Sequence, residues 1–385
     1  MAATGLYGAL KCCSSVPSPS LVCPGIVVPS RAGSRMLESP ASAQAARLFR
    51  CSVWALWRFQ GVPAGSLLLK ERTGFTWLSR PRGFWVSWLS VSRALPAQLA
   101  PTMSLRCYCC LPSAMKIAAL QMVSTPDLGR NLEAAGRLIA QAADAGAALA
   151  ALPEYFCLLG RRDTDKLALA EVPGQGPIQE FLSDAARRHG LWIVGGTLPM
   201  AVPGRSDQVR NTCLVFGPDG AVRARYDKVH LFAFDNGREQ YDEARVLERG
   251  DEPVAFTAAG HRVGLSVCYD LRFPELYRAL AFAPGQPPCD LMCVPSAFTY
   301  TTGQAHWELL LRARAVENQC YVIAPAQGGT HENGRRTWGH SMIVGPWGEV
   351  LACQPEGEAV VLAQMDAARL AQVRQQLPAL EHRRL

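Results

Sequence analysis

The chain has 385 residues, of which 49% are hydrophobic and 18% charged, a composition typical of a globular protein with a substantial core. Its net charge of +7 arises in residues 1–114, which hold 12 of the 39 Lys and Arg residues but only two of the 32 Asp and Glu residues. Residues 115–385 are slightly acidic, so the basic balance does not support a nucleic-acid partner. No uncharged apolar run reaches the roughly 18 residues that a membrane-spanning helix needs, so we expect no membrane partner either.

Residues 1–114 form a leader that is rich in Ser, Arg and Trp, poor in acidic residues and without sustained periodicity. We therefore expect the leader to be poorly structured or removed by processing. The sequence MKIAAL from Met115 reads as a natural start, which favours a cytoplasmic protein with an upstream extension. The alternative is a mitochondrial protein, because an acid-poor leader rich in Arg and Ser is typical of an organellar transit segment.

Alternating strands and helices are predicted from residue 115 onward. The run KIAALQM (116–122) predicts a buried strand, and apolar residues at helical spacing predict a helix that ends at Gly146. The run ALAALPE (148–154) predicts a second buried strand that ends at Glu154. These are followed by a predicted helix at 177–190, a strand at 191–198 and a hairpin at 211–232 with a Pro-Asp-Gly turn.

The second half of the chain continues this alternation. The sequence predicts strands at 261–270, 290–298, 320–327, 340–346 and 348–354, and helices at 273–282 and 305–319. Because helices alternate with strands and hairpins are interspersed, the pattern predicts one layered α/β domain with a mixed sheet. We find no internal repeat and no second domain in residues 115–385.

Three of the predicted strands end at a reactive side chain, Glu154, Lys228 or Cys268, and strand ends are where such side chains collect in layered α/β folds. A cysteine where a strand meets a helix gains thiolate stabilisation from the helix N-terminus, and the Tyr269 N–H would lie near an oxyanion formed by its attack. A carboxylate can serve as the base and a lysine can stabilise negative charge, so the three together can hydrolyse an amide through a thioester. Taken singly, each residue has a commoner interpretation: Cys268 as a packed thiol, Glu154 as a surface cap and Lys228 as a solvated charge.

The other cysteines do not indicate a metal site. The seven cysteines of residues 115–385 show no paired spacing of the zinc-binding kind, and Cys289 and Cys293 lack a partner pair. We therefore expect no metal and no cofactor, and we expect most of these cysteines to be buried reduced thiols.

Several long motifs, in order along the chain, resemble those of the nitrilase superfamily of carbon–nitrogen hydrolases. They are LPE, DKVHLF and GLSVCYDLRFPE around the three reactive residues, followed by PSAFTYTTGQAHWELLLRARAVENQCYV and GHSMIVGPWGEV. The resemblance runs from Lys116 to about Arg384 and implies an α/β fold, a four-layer αββα sandwich with mixed sheets. It also implies a homodimer or larger homo-oligomer that acts on a small-molecule amide without a cofactor.

The catalytic roles of the family fall on matching positions of this sequence. The resemblance implies that Glu154 is the general base, Lys228 stabilises the tetrahedral intermediate and Cys268 is the nucleophile. It also implies a second catalytic glutamate after the lysine, for which Glu243 fits best by its spacing, with Glu239 as the second choice.

The residues near the nucleophile distinguish branches of the superfamily. Cys-Tyr-Asp stands here, as in the small ω-amidase-like branch, whereas members that attack nitriles tend to have Cys-Trp-Glu. Within that branch, AQGGTHENGRRTWGHSM (326–342) resembles amidases of deaminated glutathione more than ω-amidases of α-ketoglutaramate. The alternatives are α-ketoglutaramate or an N-carbamoyl amine as substrate, a catalytically silent scaffold, and a redox-sensing thiol protein.

An acidic substrate of this kind requires cationic groups near the pocket. Arg272 is the candidate, with an ion pair to Glu275 as the alternative role. The other candidates for the pocket lining are Tyr155, Ser296, Phe298 and His306. His306 has a helix-packing role as its alternative.

Two positions depart from the family pattern. Pro325 lies within the predicted strand at 320–327, where it would remove an N–H from the ladder. Gly345 precedes the Pro-Trp-Gly turn, where Asp or Asn is usual. We expect these residues to lower stability or to reshape the rim of the pocket.

Overall fold

The structure is a computed structural model that describes residues 67–71, 74–78 and 114–384. Contacts divide the chain into the units Met1–Met103 and Ser104–Leu385. In the first unit, strands β1 (Leu67–Glu71) and β2 (Gly74–Leu78) pair as an antiparallel hairpin. The prediction of a poorly structured leader otherwise falls outside the described residues.

The second unit alternates strands and helices, as the sequence predicts. Its strands are β3 (Ala114–Gln121), β4 (Leu149–Ala151), β5 (Trp192–Val194), β6 (Leu198–Ala201), β7 (Val209–Phe216), β8 (Val222–Asp227), β9 (Ala233–Asp235), β10 (Gln240–Asp242), β11 (Ala255–Ala258), β12 (His261–Leu265), β13 (Leu291–Cys293), β14 (Tyr321–Ala324), β15 (Gly328–Thr330), β16 (Arg336–Trp338), β17 (Ser341–Val344), β18 (Val350–Gln354) and β19 (Ala359–Asp366). Its α-helices are α1 (Leu128–Asp144), α2 (Pro177–His189), α3 (Pro274–Ala281), α4 (Tyr300–Asn318) and α5 (Ala367–Gln376). None of the helices in the described ranges is long and apolar enough to cross a membrane.

Two mixed sheets form the centre of this unit. The first has seven strands in the order β19-β3-β4-β5-β7-β6, with β8 paired to β7, and its β3, β4 and β5 run parallel. The second has six strands in the order β11-β12-β13-β14-β17-β18, and its β12, β13 and β14 run parallel. Both sheets are therefore mixed, as predicted.

Ile117 and Leu120 of β3 show how the layers arise, because side chains alternate between the faces of a strand and these two residues are an odd number of positions apart. Ile117 is fully buried in the cluster that also contains Leu265 of the second sheet. Leu120, on the other face, is fully buried in the cluster that contains Leu138 of α1. Burying side chains of this size contributes about 1.5–3 kcal/mol each, so both faces of the first sheet are held, one by the second sheet and one by helices.

Helix α4 covers the second sheet and begins earlier than predicted. The sequence predicts a helix from residue 305, but α4 starts at Tyr300, after an N-cap at Thr299 whose hydroxyl accepts from the Thr302 N–H. The first turn contains two threonines and Gly303, which have low helix propensity, so the sequence pattern does not predict it as helix. Gly303 is required there, because a Cβ at this position would overlap with the side chain of Trp338.

Pro325 lies just beyond Ala324, the last residue of β14, rather than inside the strand. Parallel pairing continues past it, because its carbonyl accepts from the Ser296 N–H at 2.9 Å and the Ser296 carbonyl accepts from the Gln327 N–H at 2.9 Å. The Val294 carbonyl, which an N–H at residue 325 would reach, accepts from the Ser296 hydroxyl at 3.0 Å instead. The expected effect on stability stays a prediction. Gly345 begins the turn between β17 and β18, and a Cβ there would overlap with the carboxylate of Glu349. Neither residue lines the pocket described below.

Candidate active site

The carboxylate of Glu154 lies at the point where the two sheets meet. The chain leaves β4 through Leu152 and Pro153, and Glu154 is only 1% exposed. Its Oε1 accepts from Lys228 Nζ at 2.8 Å and from Asn211 Nδ2 at 2.9 Å, and its Oε2 accepts from the Ala297 N–H at 2.9 Å. Donors from three segments of the chain therefore fix the orientation of this carboxylate.

Lys228 follows β8 directly and is completely buried between two carboxylates. Its Nζ donates to Glu154 at 2.8 Å and to Oε2 and Oε1 of Glu243 at 2.8 and 3.1 Å. Burial alone would lower the pKa of Lys228, but the charges of Glu154 and Glu243 outweigh it and raise that pKa above its usual value. The ammonium is therefore charged in the folded protein.

Glu243 is the first residue of a short 3-10 helix after β10, and its side chain is 14% exposed. Burial would raise the pKa of Glu243, but the charge and the hydrogen bonds of Lys228, with the Phe232 N–H at 2.8 Å, lower that pKa below its usual value. Glu239 instead accepts from the Thr301 hydroxyl. The contact with Lys228 therefore distinguishes Glu243 from Glu239, its alternative.

Cys268 begins the 3-10 helix Cys268–Arg272 and adopts φ = 48°, in the left-handed region that a non-glycine residue enters only at a cost of about 1–3 kcal/mol. Its N–H donates to the Pro295 carbonyl at 2.9 Å. Burial raises the pKa of the thiol well above its usual value, and the carboxylate of Glu154 raises it further against the opposing charge of Lys228. The expectation that a helix end favours the thiolate is therefore wrong, because burial dominates and the resting thiol is neutral.

Asp270 fixes the turn that carries Cys268. It is fully buried, and its Oδ2 accepts from the Val267 N–H at 2.8 Å and from the Tyr226 hydroxyl at 2.7 Å. Its Oδ1 accepts from the His230 N–H at 3.0 Å and lies 2.7 Å from His230 Nδ1. Tyr226 and His230 stand two residues before and after Lys228, so Asp270 ties the turn of the cysteine to the segment of the lysine.

A pocket with about 280 Å³ of empty space opens onto these groups. Glu154, Glu243 and Cys268 line it together with Tyr269, Arg272, Phe298, Arg335 and four further residues. The first hydrogen bond of the 3-10 helix runs from the Asp270 N–H to the Val267 carbonyl, so the Tyr269 N–H precedes it and has no acceptor within the helix. The pocket thus combines a thiol, a carboxylate network and two arginines.

A model of the carbon–nitrogen hydrolase family matches residues 116–375, more than half of the chain. The chain belongs to the carbon–nitrogen hydrolases. It is accordingly a hydrolase that acts on carbon–nitrogen bonds other than peptide bonds. The family, the enzyme class and the four-layer fold that the motifs implied are confirmed.

The hydrolase is similar to several curated proteins and solved structures. A deaminated glutathione amidase of Synechocystis sp. is 44% identical over 269 residues, which cover 69% of this chain and 97% of the relative. The human omega-amidase NIT2 is 38% identical over 274 residues, which cover 71% of this chain and 96% of the relative. The crystal structure of the C. elegans NitFhit protein matches with a TM-score of 0.65 and 38% identity over 71% of this chain, which spans 65% of the NitFhit chain.

Two of the residues proposed to bind substrate line the pocket of the hydrolase. The Arg272 guanidinium lies 5.5 Å from the centre of the Phe298 ring, and its Nη1 donates to His306 Nδ1 at 3.2 Å. Among the described residues it makes no ion pair with Glu275, its alternative partner. Arg272 and Phe298 both line the pocket.

The other three do not line that pocket. His306 is exposed, and its one hydrogen-bond partner among the residues that the structure describes is Arg272, so it neither lines the pocket nor packs in the core. Ser296 is buried and donates to the Val294 carbonyl at 3.0 Å, which is a structural role. Tyr155 donates its hydroxyl to Glu243 at 2.8 Å, so it acts on the network of the lysine.

Sequence reasoning missed Asn211, Asp270 and Arg335 in the site of the hydrolase. Asn211 lies inside a predicted strand, where nothing distinguishes an inward amide from any other strand residue. Asp270 and Arg335 stand in motifs that were recognised, GLSVCYDLRFPE and AQGGTHENGRRTWGHSM. A buried acid two residues after the cysteine and a pair of arginines in a glycine-rich turn are the signals that could have identified them.

Proposed function

We propose that this hydrolase cleaves the amide of deaminated glutathione and releases α-ketoglutarate and cysteinylglycine. The observation that carries the proposal is the buried network of Glu154, Lys228 and Glu243, which shares one pocket with the Cys268 thiol and two arginines. The arginines suit an acidic substrate. The 44% identity to a deaminated glutathione amidase supports the choice of substrate.

The neutral thiol requires a base, and Glu154 is placed to be that base. As Cys268 attacks the amide carbon, its proton passes to Glu154 and the carbonyl oxygen becomes an oxyanion. The Lys228 ammonium and the Tyr269 N–H stabilise this oxyanion, because both donors are fixed before the reaction begins. When the carbon–nitrogen bond breaks, Glu154 returns the proton to the leaving amine, and an acyl thioester remains on Cys268.

The second half of the reaction removes the acyl group. A water molecule gives its proton to Glu154 and attacks the thioester carbon, which again forms an oxyanion beside Lys228. When the carbon–sulfur bond breaks, the carboxylic acid leaves and the proton on Glu154 returns to Cys268. Each residue ends in its starting state, so the cycle consumes only the amide and one water molecule.

An ω-amidase acting on α-ketoglutaramate is the second candidate function. The 38% identity to the human omega-amidase NIT2 favours it, and the two substrates share the same acyl half. The acyl-transfer chemistry above is identical for both. The two functions therefore differ only in the leaving group, which is cysteinylglycine in one and ammonia in the other.

The test is a turnover assay of the full chain against deaminated glutathione, α-ketoglutaramate, an N-carbamoyl amine and a nitrile. We expect the highest kcat/KM with deaminated glutathione, and we expect Cys268→Ala to abolish turnover. Cys353→Ala, which removes an exposed thiol, is the matched control. A higher kcat/KM with α-ketoglutaramate would assign the second function, and turnover that survives Cys268→Ala would refute both.

A further inference from the structure

A second groove adjoins the catalytic pocket, and we call it the tail groove. Its lining includes Tyr155, Arg161, Lys166, Tyr241, Asn333 and Arg335, and the groove is open to solvent, with about 860 Å³ of empty space in and above it. Of the described residues around these two cavities, Arg335 alone lines both the tail groove and the catalytic pocket. The groove thus offers a substrate room beyond the site where the amide is cleaved.

The guanidinium of Arg335 has donors that the protein does not use. Its Nη2 donates to the Ala297 carbonyl at 3.3 Å, and its Cζ lies 4.9 Å from the centre of the Tyr241 ring. Its Nε is buried without a hydrogen-bond partner, and among the described residues no carboxylate pairs with the guanidinium. A buried donor on an unpaired cation is costly unless an anion completes it, which points to an anionic ligand at this position.

The rest of the tail groove is also cationic. Arg161, Arg162, Lys166 and Arg335 line it against one acid, Asp163, while Arg162 is already paired with Asp165. The Lys166 side chain is only 15% exposed and lies over the Tyr155 ring, 3.9 Å from the exposed carboxylate of Asp163. The charge of Lys166 also interacts with that of Glu243, but among the described residues its ion pair with Asp163 is no shorter than 3.9 Å. A carboxylate entering the groove would therefore meet two cations without a close carboxylate partner, Lys166 and Arg335.

We infer that the tail groove is the subsite for the leaving half of the substrate, and that Lys166 and Arg335 bind the terminal carboxylate of that half. This inference rests on the proposed function. Deaminated glutathione carries cysteinylglycine on the amide nitrogen, and this half ends in a carboxylate. Ammonia, the leaving group of α-ketoglutaramate, leaves the groove empty. Arg272, which lines the catalytic pocket and not the tail groove, remains for the acyl half that both substrates share.

The test pairs a change in the substrate with a change in the groove. The substrates are deaminated glutathione and its analogue with a terminal glycinamide, which removes only the negative charge of the tail. For the full wild-type chain we expect kcat/KM to be about 10-fold to 100-fold higher with the free carboxylate, the range for a charged hydrogen bond. In Lys166→Met and in Arg335→Met we expect this preference to fall below about threefold.

Three further measurements make the outcome decisive. Lys116→Met is the matched control, because its ammonium donates to the Ala145 carbonyl at the end of α1, outside both cavities. It should keep the wild-type preference, and Lys166→Arg should restore it. Unchanged preference in both Lys166→Met and Arg335→Met would overturn the inference, as would a wild-type enzyme without preference. Cys268-dependent turnover of α-ketoglutaramate in those experiments would show that the amidase chemistry stands although the subsite does not.

Discussion

The carboxylates of Glu154 and Glu243 both accept hydrogen bonds from the Lys228 ammonium in a buried site. A buried ion network is weak evidence for stability, because desolvation offsets most of its Coulomb energy. Its value here is chemical. Despite its burial, the charges of Glu154 and Glu243 raise the pKa of Lys228 and keep it charged, whereas burial raises the pKa of the Cys268 thiol and keeps it neutral. Both shifts are upward, and in the proposed mechanism they suit Lys228 to stabilise an oxyanion and leave the thiol in need of a base.

Replacing Glu243 with Gln should reduce kcat about 10-fold to 1,000-fold, because Lys228 loses one of two charges that raise its pKa and fix its position. The same variant tests stability. The pKa of Glu243 is lowered from 4.5, so its stabilisation is present above that pH and is lost as the pH falls through the lower, folded-state value. Urea unfolding below pH 4.5 should therefore show a steeper loss of stability in the wild type than in Glu243→Gln. Full activity in this variant would contradict the role.

At the scale of elements, the site depends on turns that follow strands. Glu154 follows β4, Lys228 follows β8 and Cys268 follows β12, so the proposed catalytic groups come from both sheets. Apolar runs that end at a polar residue reveal these positions in the sequence. The hydrogen bonds of Asp270 with Tyr226 and His230 cannot be read from the sequence. They join residues 44 and 40 positions apart, which only folding brings together.

These hydrogen bonds predict that Asp270 positions the turn that carries Cys268. In Asp270→Asn, an amide NH₂ group replaces one of the two carboxylate oxygens. The oxygen lost is either Oδ2, which accepts from the Val267 N–H and the Tyr226 hydroxyl, or Oδ1, which contacts His230, so a buried acceptor is lost in both cases. We expect kcat to fall about 10-fold to 100-fold, with KM changed less than about threefold and unfolding free energy lowered by about 1–3 kcal/mol. Asp184→Asn, which removes an exposed partner of Arg187, is the control. Loss of stability without any loss of kcat would limit Asp270 to a structural role.

At the scale of the whole molecule, the sequence predicts the alternation of elements and the family, but not the strand order. Strand β19 shows why. It pairs along its whole length with β3, from Ala359 opposite Gln121 to Asp366 opposite Ala114, and no local pattern specifies a partner so distant in the chain. The same limit hid Arg335 from the predicted pocket, because its place depends on a turn packing against Tyr241. The homo-oligomer and the compartment remain predictions.

We propose that catalysis passes through a thioester on Cys268. The most direct measurement is mass spectrometry of the full chain quenched with acid during turnover of deaminated glutathione, followed by mapping of the modified peptide. We predict an α-ketoglutaryl group on Cys268 that hydroxylamine removes and that is absent from Cys268→Ala. Turnover with no acyl group on Cys268 at any time before the steady state, together with activity in Cys268→Ala, would contradict the account.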